Sequence, residues 1–212
     1  MYKIKAEKIV EKLKESYGEY RCGLNYTTAF ELLIATILSA QCTDKRVNIV
    51  TKELFAKANT PEAIINMGYD ALLEIIKPCG LATSKASNII KTSRILKEEF
   101  NSQVPCEMDA LISLPGVGRK TANVVLSNAF GVAAIAVDTH VFRVSNRIGL
   151  ASSDNVLKTE RMLMDINQKD KWSDAHHWLI WHGRNVCSAR KPKCGMCILN
   201  ELCEWPEKIN FN

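Results

Sequence analysis

The sequence lacks a hydrophobic run long enough to cross a membrane, a secretory leader and any internal repeat. Its longest apolar stretch lies around Leu32–Ala40, is interrupted by Thr36 and falls well short of the ~20 residues that a spanning helix needs. The charged first residues contain no apolar core and no small-residue cleavage site, so they are not typical of a secretion signal. We therefore expect a cytoplasmic protein that is not secreted and does not enter a membrane.

The composition excludes disordered and fibrous proteins. The 212 residues are 47% hydrophobic and 24% charged, which is typical of globular chains. At roughly 150 residues per domain, this length allows one or two domains. Lys and Arg exceed Asp and Glu by 28 − 23 = 5 residues. This mild positive charge permits a polyanionic partner without requiring one.

Apolar residues recur at helical spacing along most of the chain, as in Ile9–Leu13 and Phe30–Leu38. Proline and glycine residues separate these stretches and predict short connections. The segment Val132–Val137 has a β-like composition, but it is short and has no second run to pair with. The pattern predicts an all-α protein, and it does not locate a domain boundary.

Two glycines within four residues separate a pair of predicted helices at Leu114–Lys120, LPGVGRK. We expect Asp109 to cap the first helix and the second to begin near Arg119. Gly116 and Gly118 allow a tight turn that leaves backbone N–H groups and the positive end of the helix dipole open to an anion. A helix-hairpin-helix that grips a DNA phosphate has this pattern, and an ordinary turn between helices is the alternative.

Lys120 lies in the first turn of that second helix, where a cation opposes the helix dipole. Positive surroundings and partial burial would both favour the neutral amine, which is the form that a nucleophile requires. The alternative is a solvated Lys120 that binds phosphate. The hairpin by itself favours the solvated lysine, and the motif around Asp138 shifts the balance towards the nucleophile.

Asp138 follows an apolar run and precedes a helical pattern, so its first expected role is that of an N-cap. A carboxylate at a helix start is held in one place and is suited to stabilising positive charge that develops during a reaction. Two residues later, His140 is free to cap, to pack or to contact a phosphate.

Four cysteines crowd into one short segment with the spacing Cys187-x6-Cys194-x2-Cys197-x5-Cys203. Four thiolates at this spacing favour a metal site over disulfides, and their uneven spacing favours an iron–sulfur cluster over zinc. Arg190 and Lys191 lie between the first two cysteines. A basic loop held by a metal is suited to contact phosphates, and a solvated loop is the alternative.

The other thiols and most of the histidines do not predict a further site. Adjacent histidines do not share a helix face and no carboxylate completes a metal site. We therefore expect His176, His177 and His182 to pack in the core or beside the ligands of a metal site. The scattered thiols are expected to be small core residues, and they are Cys22, Cys42, Cys79 and Cys106.

Together these features resemble the endonuclease III family of helix-hairpin-helix DNA glycosylases. The resemblance lies in the cysteine spacing and in four sequence stretches: ELLIATILSAQCTD (Glu31–Asp44), LPGVGRKTANVVL (Leu114–Leu126), VDTHVFRV (Val137–Val144) and HHWLIWHGR (His176–Arg184). It implies an all-α fold with a six-helix barrel domain at residues 22–132 that contains the helix-hairpin-helix. It also implies a second helical domain, formed by residues 1–21 and 133–212, with a loop that binds a 4Fe–4S cluster through the four cysteines.

The activity that this resemblance implies is base excision repair. An N-glycosylase with AP lyase activity would remove oxidised pyrimidines through a Schiff base and cut the strand 3′ to the abasic site. Lys120 would be the nucleophile and Asp138 its acidic partner, while Gln41 and Leu81 would fill the gap and wedge the duplex open. The implied partner is duplex DNA with a damaged base or an abasic site, and DNA binding would associate the protein with the nucleoid. We expect a monomer.

The residues expected to contact DNA are Gln41, Leu81, Gly116, Gly118, Arg119, His140, Arg190 and Lys191. Three other functions compete with this one. An adenine-mismatch glycosylase of the same superfamily typically lacks a lysine at the hairpin position, whereas this chain has Lys120. A non-catalytic DNA-binding or redox module would not need Lys120 together with Asp138. The third alternative is a structural protein stabilised by zinc, and metal analysis would distinguish it from a protein with an iron–sulfur cluster.

Overall fold

The computed structural model describes residues 2–18 and 20–211, which form α-helices and short 3-10 helices without any strand. The α-helices are α1 (Tyr2–Tyr17), α2 (Ala29–Leu38), α3 (Asp44–Lys57), α4 (Pro61–Met67), α5 (Tyr69–Ile76), α6 (Ala82–Glu99), α7 (Met108–Ser113), α8 (Arg119–Phe130), α9 (Thr139–Ile148), α10 (Val156–Ile166) and α11 (Trp172–Asn185). The predicted all-α class is confirmed. None of the described helices is both long and apolar enough to span a membrane.

The chain divides into two compact units. The interior unit comprises Cys22–Val132 and contains α2 to α8. The composite unit comprises Met1–Arg21 with Ala133–Asn212 and contains α1 and α9 to α11. The interior unit therefore interrupts the composite unit in sequence.

Helix α2 forms the centre of the interior unit because almost all its side chains are apolar and buried. Its start is fixed by Thr28, whose hydroxyl accepts a hydrogen bond from the Glu31 N–H at 3.1 Å. The Glu31 carboxylate in turn accepts hydrogen bonds from the N–H and hydroxyl of Thr27. Helices α3, α6 and α8 pack against α2, which fixes the start of α8 and the loop that follows α2.

The composite unit has a core of its own. Helix α11 packs against α1 and α9, and α10 packs against α9 and α1. The fully buried Trp178 lies in this core together with Ile9, Leu13, Val141, Val144 and Leu179. The packing of α9 leaves its polar side chains, among them Arg143 and Arg147, to contact the segment that follows α11.

Two local expectations are wrong. Helix α7 begins at Met108, so Asp109 lies inside its first turn, and Glu107 occupies the N-cap position without a side-chain hydrogen bond. An acidic residue in the first turn still interacts favourably with the positive end of the helix dipole, which explains why Asp109 occurs near the start of α7. The four scattered cysteines were expected in the core, but only Cys79 is buried there. Cys106 is exposed, and Cys22 and Cys42 are half-buried, because a thiol tolerates both environments.

Candidate functional site

The turn between α7 and α8 depends on its two glycines. Gly116 has a φ of +80°, and a Cβ there would lie 2.9 Å from the amide nitrogen of Asn88. The position therefore requires glycine for both its conformation and its space. Gly118 is the N-cap of α8, has no side chain to cover the first N–H groups, and faces open space. The hydroxyl of Thr92 on α6 donates to the Pro115 carbonyl at 3.0 Å and so anchors the turn.

Lys120 and Arg119 are both exposed in the first turn of α8. The predicted position of Lys120 at a helix start is confirmed, but the partial burial expected for it is absent from the free protein. Gly118, the residue directly before α8, has no side chain and faces open space, which leaves the start of the helix uncovered. An exposed cation beside uncapped N–H groups forms a compact site for an anion.

Gln41 and Leu81 are exposed residues in left-handed backbone conformation, with φ values of +53° and +51°. Among the described residues only Asn101 and Ser102 share this non-glycine conformation. Leu81 is 56% exposed, although it is a large apolar side chain. Left-handed conformation costs free energy at residues other than glycine and tends to occur at functional sites.

Asp138 caps α9 as the sequence predicts. Its Oδ1 accepts hydrogen bonds from the N–H groups of His140 and Val141, both at 2.8 Å. Two backbone donors on one oxygen hold the carboxylate in a single orientation and leave its second oxygen for other partners. The side chain is half-buried, so a reacting group can still reach it.

His140 lies beside an arginine that joins α9 to the end of α11. Its Nδ1 is 3.1 Å from a guanidinium nitrogen of Arg143, which also donates to the carbonyls of Gly183 and Cys187. Since a guanidinium only donates, Nδ1 of His140 must be the acceptor, which places the ring proton on Nε2. A Cβ at Gly183 would lie 3.0 Å from His140 Cβ, so α9 and α11 approach closely there.

The four clustered cysteines line one cavity of the composite unit. Cys187 follows α11, Cys194 and Cys197 lie on either side of a 3-10 turn, and Cys203 follows a second 3-10 turn. The cavity brings together four thiols from a segment that contains no α-helix. They are the only cysteines that line it within the described chain.

This donor set fits a cluster better than a single ion. Burial and the neighbouring thiols raise the pKa of Cys194, and burial raises the pKa of Cys197 to about 11, so thiolates here require a positive metal group. Within residues 2–18 and 20–211, no three His, Cys, Asp or Glu side chains converge closely enough to hold one metal ion. A cubane cluster spaces its four ligands more widely than one zinc ion does.

Hydrogen bonds reach the sulfur atoms from three directions. The N–H of Leu199 donates to Cys197 Sγ at 3.4 Å, and a guanidinium N–H of Arg147 donates to Cys187 Sγ at 3.6 Å. The Nε2 of His182 lies 3.5 Å from Cys197 Sγ, and its Nδ1 lies 3.0 Å from the hydroxyl of Tyr17. Burial lowers the pKa of His182 to about 4, so the ring is neutral. Such bonds orient metal ligands and stabilise their charge.

Arg147 is the residue that sequence reasoning missed. Its guanidinium donates to the carbonyls of Ser188 and Ala189 at 2.8 and 3.0 Å, and it lies 3.8 Å from the ring centre of Trp205. It therefore joins both ends of the cysteine segment to α9. The available signal was its spacing of four residues from Arg143, which places both arginines on one helix face.

The basic residues and histidines of this unit are arranged largely as expected. Arg190 and Lys191 are exposed beside the carbonyls that Arg147 holds. His176, His177 and His182 are buried, which confirms the prediction of core packing. Contact of Arg190, Lys191 and His140 with DNA stays a prediction.

Comparison with family models identifies two matches. The model of the HhH-GPD superfamily of base excision DNA repair proteins matches residues 34–169, which include the hairpin and Asp138. The model of the iron–sulfur binding domain of endonuclease III matches residues 187–203, which include all four clustered cysteines. Each match therefore covers one of the features described above.

Full-length relatives are similar to the whole chain. Endonuclease III of Haemophilus influenzae is 53% identical over 211 residues, covering 100% of both chains. The solved structure of a non-covalent endonuclease III–DNA complex has a TM-score of 0.94 and 45% identity, covering 99% of each chain. That of a trapped endonuclease III–DNA covalent intermediate has a TM-score of 0.94 and 46% identity, covering 98% of each chain.

Proposed function

The chain belongs to the endonuclease III family of base excision DNA repair proteins, and from this premise we propose which of its residues perform each step. It is a DNA glycosylase with AP lyase activity that binds damaged duplex DNA, and it carries a 4Fe–4S cluster. Oxidised pyrimidines are the proposed excised bases. The observation that carries the residue assignment is the position of Lys120, directly after a glycine turn at the open start of α8.

Lys120 is the proposed nucleophile. Its neutral amine attacks C1′ of the damaged nucleotide, and the N-glycosidic bond breaks as the base leaves with the bonding electrons and takes up a proton. Opening of the sugar ring gives an iminium ion, which acidifies the proton on C2′. Loss of that proton expels the 3′ phosphate and cuts the strand. Because Lys120 is exposed at the start of α8, its amine is accessible to a nucleotide bound there.

Asp138 is the proposed acidic partner of this reaction. Its fixed carboxylate supplies negative charge where the sugar becomes cationic as the base departs. The two backbone hydrogen bonds from His140 and Val141 mean that the carboxylate does not have to reorganise during the step. This preorganisation supports a role on the sugar in addition to any role on the Lys120 amine.

Gln41 and Leu81 are proposed to enter the duplex when the damaged nucleotide is extruded. Extrusion costs a few kcal/mol of stacking and pairing, and the cost is smallest for a poorly stacked base. An exposed leucine offers an apolar surface against the remaining bases, and a glutamine amide offers hydrogen bonds to the orphaned base. Their left-handed backbone projects both side chains from short turns.

Backbone phosphates are proposed to bind at two places. The first is the open start of α8 with Gly116, Gly118 and Arg119, where N–H groups and the helix dipole attract an anion. The second is the exposed pair Arg190 and Lys191, together with His140. When bound, the cluster supplies a rigid anchor for the loop that carries this basic pair.

We propose that the two compact units are the two domains that the family resemblance implies. We propose that Cys22–Val132 is the six-helix barrel domain, and that Met1–Arg21 with Ala133–Asn212 is the cluster domain. Because the protein acts on damaged duplex DNA, we also propose that it is intracellular and associates with the nucleoid. We propose in addition that it is a monomer.

Borohydride trapping tests the assignment of Lys120. We expect the native protein to be captured covalently on duplex DNA with an abasic site, because borohydride reduces the imine to a stable amine. Lys120→Ala should abolish capture, base release and strand cleavage while largely preserving duplex binding. The matched control is Lys91→Ala, which removes an exposed lysine of α6. Trapping of the Lys120→Ala variant would mean that another amine is the nucleophile.

A further inference from the structure

Lys85 is a buried lysine in the interior unit to which no step above assigns a role. Its residue is only 4% exposed, in the first turns of α6. Its ammonium donates to the carbonyls of Leu38 and Ala40, both at 2.8 Å, and to the carbonyl of Cys79 at 2.9 Å. A burial this deep is rare for lysine unless all its protons are paired.

The three acceptors belong to two separate turns. Leu38 ends α2, and Ala40 directly precedes Gln41. Cys79 ends a 3-10 turn two residues before Leu81, and the backbone N–H of Lys85 also donates to the Leu81 carbonyl at 3.0 Å. One residue therefore contacts both segments that carry the exposed left-handed residues.

The chemistry of an ammonium suits this arrangement. It has three N–H donors, which match the three carbonyls, whereas a neutral amine has only two. Burial lowers the pKa of Lys85, and the adjacent thiols of Cys79 and Cys42 act in the opposite direction. A side chain with a single donor, or with none, would leave carbonyls without partners in a buried place.

We propose that Lys85 is a positioning residue that holds Gln41 and Leu81 in the strained conformation and at the separation they need to enter the duplex. This inference rests on the wedge roles proposed for those two side chains. Left-handed conformation at a non-glycine residue persists only where surrounding contacts enforce it. Lys85 supplies such contacts next to both residues, from a buried position.

The competing interpretation is that Lys85 only stabilises the fold. That role would lower the melting temperature and leave the catalytic behaviour of the folded protein unchanged. The positioning role affects extrusion of a stacked base more than strand cleavage at an abasic site, where no base has to be extruded. The ratio of the two rates therefore separates the interpretations.

The experiment uses the full chain with its cluster and compares Lys85→Met with Lys91→Met, an exposed lysine of the same helix. We expect Lys85→Met to lower the rate of base release at saturating DNA about a hundredfold, the size of effect that a misplacement of about 1 Å produces. Cleavage at a preformed abasic site should fall far less. Fluorescence of 2-aminopurine placed opposite the lesion should lose its rise on binding, and Lys91→Met should behave as the native protein.

Additional variants keep the result interpretable. Circular dichroism and affinity for undamaged duplex establish that Lys85→Met is folded at the assay temperature, and Lys85→Arg should restore part of the activity because its guanidinium can still donate to several carbonyls. Equal losses of base release and abasic cleavage in a folded Lys85→Met variant would overturn the proposal.

The wedge roles are tested separately. If Gln41→Ala and Leu81→Ala both leave base release unchanged, the proposed function of these side chains fails. If both are impaired while Lys85→Met is not, only the positioning role fails. Adding Lys85→Met to the Gln41→Ala and Leu81→Ala double variant should cause almost no further loss, because Lys85 then has no wedge left to position.

Discussion

The interior and composite units hold their exposed loops in different ways. In the interior unit, one buried ammonium joins the two turns that carry Gln41 and Leu81. In the composite unit, Arg143 and Arg147 bind four carbonyls at the end of α11 and in the cysteine segment. The four cysteines of that segment are the proposed ligands of the cluster. The interior turns are short and end in helices, whereas residues 187–203 contain only two 3-10 turns.

The difference shows how the length of a loop determines what is needed to order it. A short turn between helices loses little conformational entropy on folding, and a few hydrogen bonds offset that loss. A long segment without regular structure forms few backbone hydrogen bonds, so that it needs a stronger constraint. A metal cluster with four ligands supplies one.

The largest expected effect comes from removing a proposed cluster ligand. The native protein, purified without oxygen, should be brown and contain about four irons per chain. Cys203→Ser should lose most of that iron, and the amides of α9 to α11 should then exchange hydrogen much faster than those of α2 to α8. Iron analysis and hydrogen exchange measure both effects.

The matched control for that variant is Cys106→Ser, because Cys106 is exposed and lies outside the cysteine segment. It should retain its iron and its exchange protection. Zinc in place of iron, or an unchanged composite unit in Cys203→Ser, would contradict the comparison between the two units.

A smaller effect is expected from Arg147→Met. This change removes hydrogen bonds to Ser188 and Ala189 and the contact with Trp205, so it should lower the free energy of unfolding of the composite unit by about 2–3 kcal/mol. Urea dependence of hydrogen exchange measures the loss unit by unit. Arg161→Met is the control, since Arg161 is exposed on α10. If Arg147→Met lowers the exchange protection of the interior unit by the same amount, the two units do not owe their stability to separate contacts.

The smallest effect is expected from Lys191→Glu in the basic loop. If Lys191 contacts a phosphate, affinity for damaged and undamaged duplexes should fall alike, because such a contact carries no sequence information. The slope of log affinity against log salt should flatten by about one unit. A salt titration on one abasic-site analogue measures the slope, with Lys169→Glu as the exposed control. If the plots of log affinity against log salt are parallel for Lys191→Glu and the native protein, with equal affinity, Lys191 does not contact a phosphate.

Much of the fold was predictable from local pattern. Helical spacing of apolar residues predicts the all-α class, and the carboxylate before Thr139 predicts the cap of α9. The glycines of the hairpin predict a turn that the structure contains. Each of these signals lies within a few residues, where chain geometry itself limits the conformations. The limits of the two domains came only from the family resemblance, because no local pattern marks them.

What the sequence by itself determined was therefore the helical class, the cap of α9 and the spacing of the cysteines. Only the tertiary structure decided that Lys120 is exposed, that Lys85 is buried and that Arg147 holds the cysteine segment. Lys85 meets Leu38 across 47 residues of sequence, and Arg147 meets Ser188 across 41. At such separations nothing local marks a partner, and whether a lysine is solvated or buried depends on which elements the folded chain brings against it.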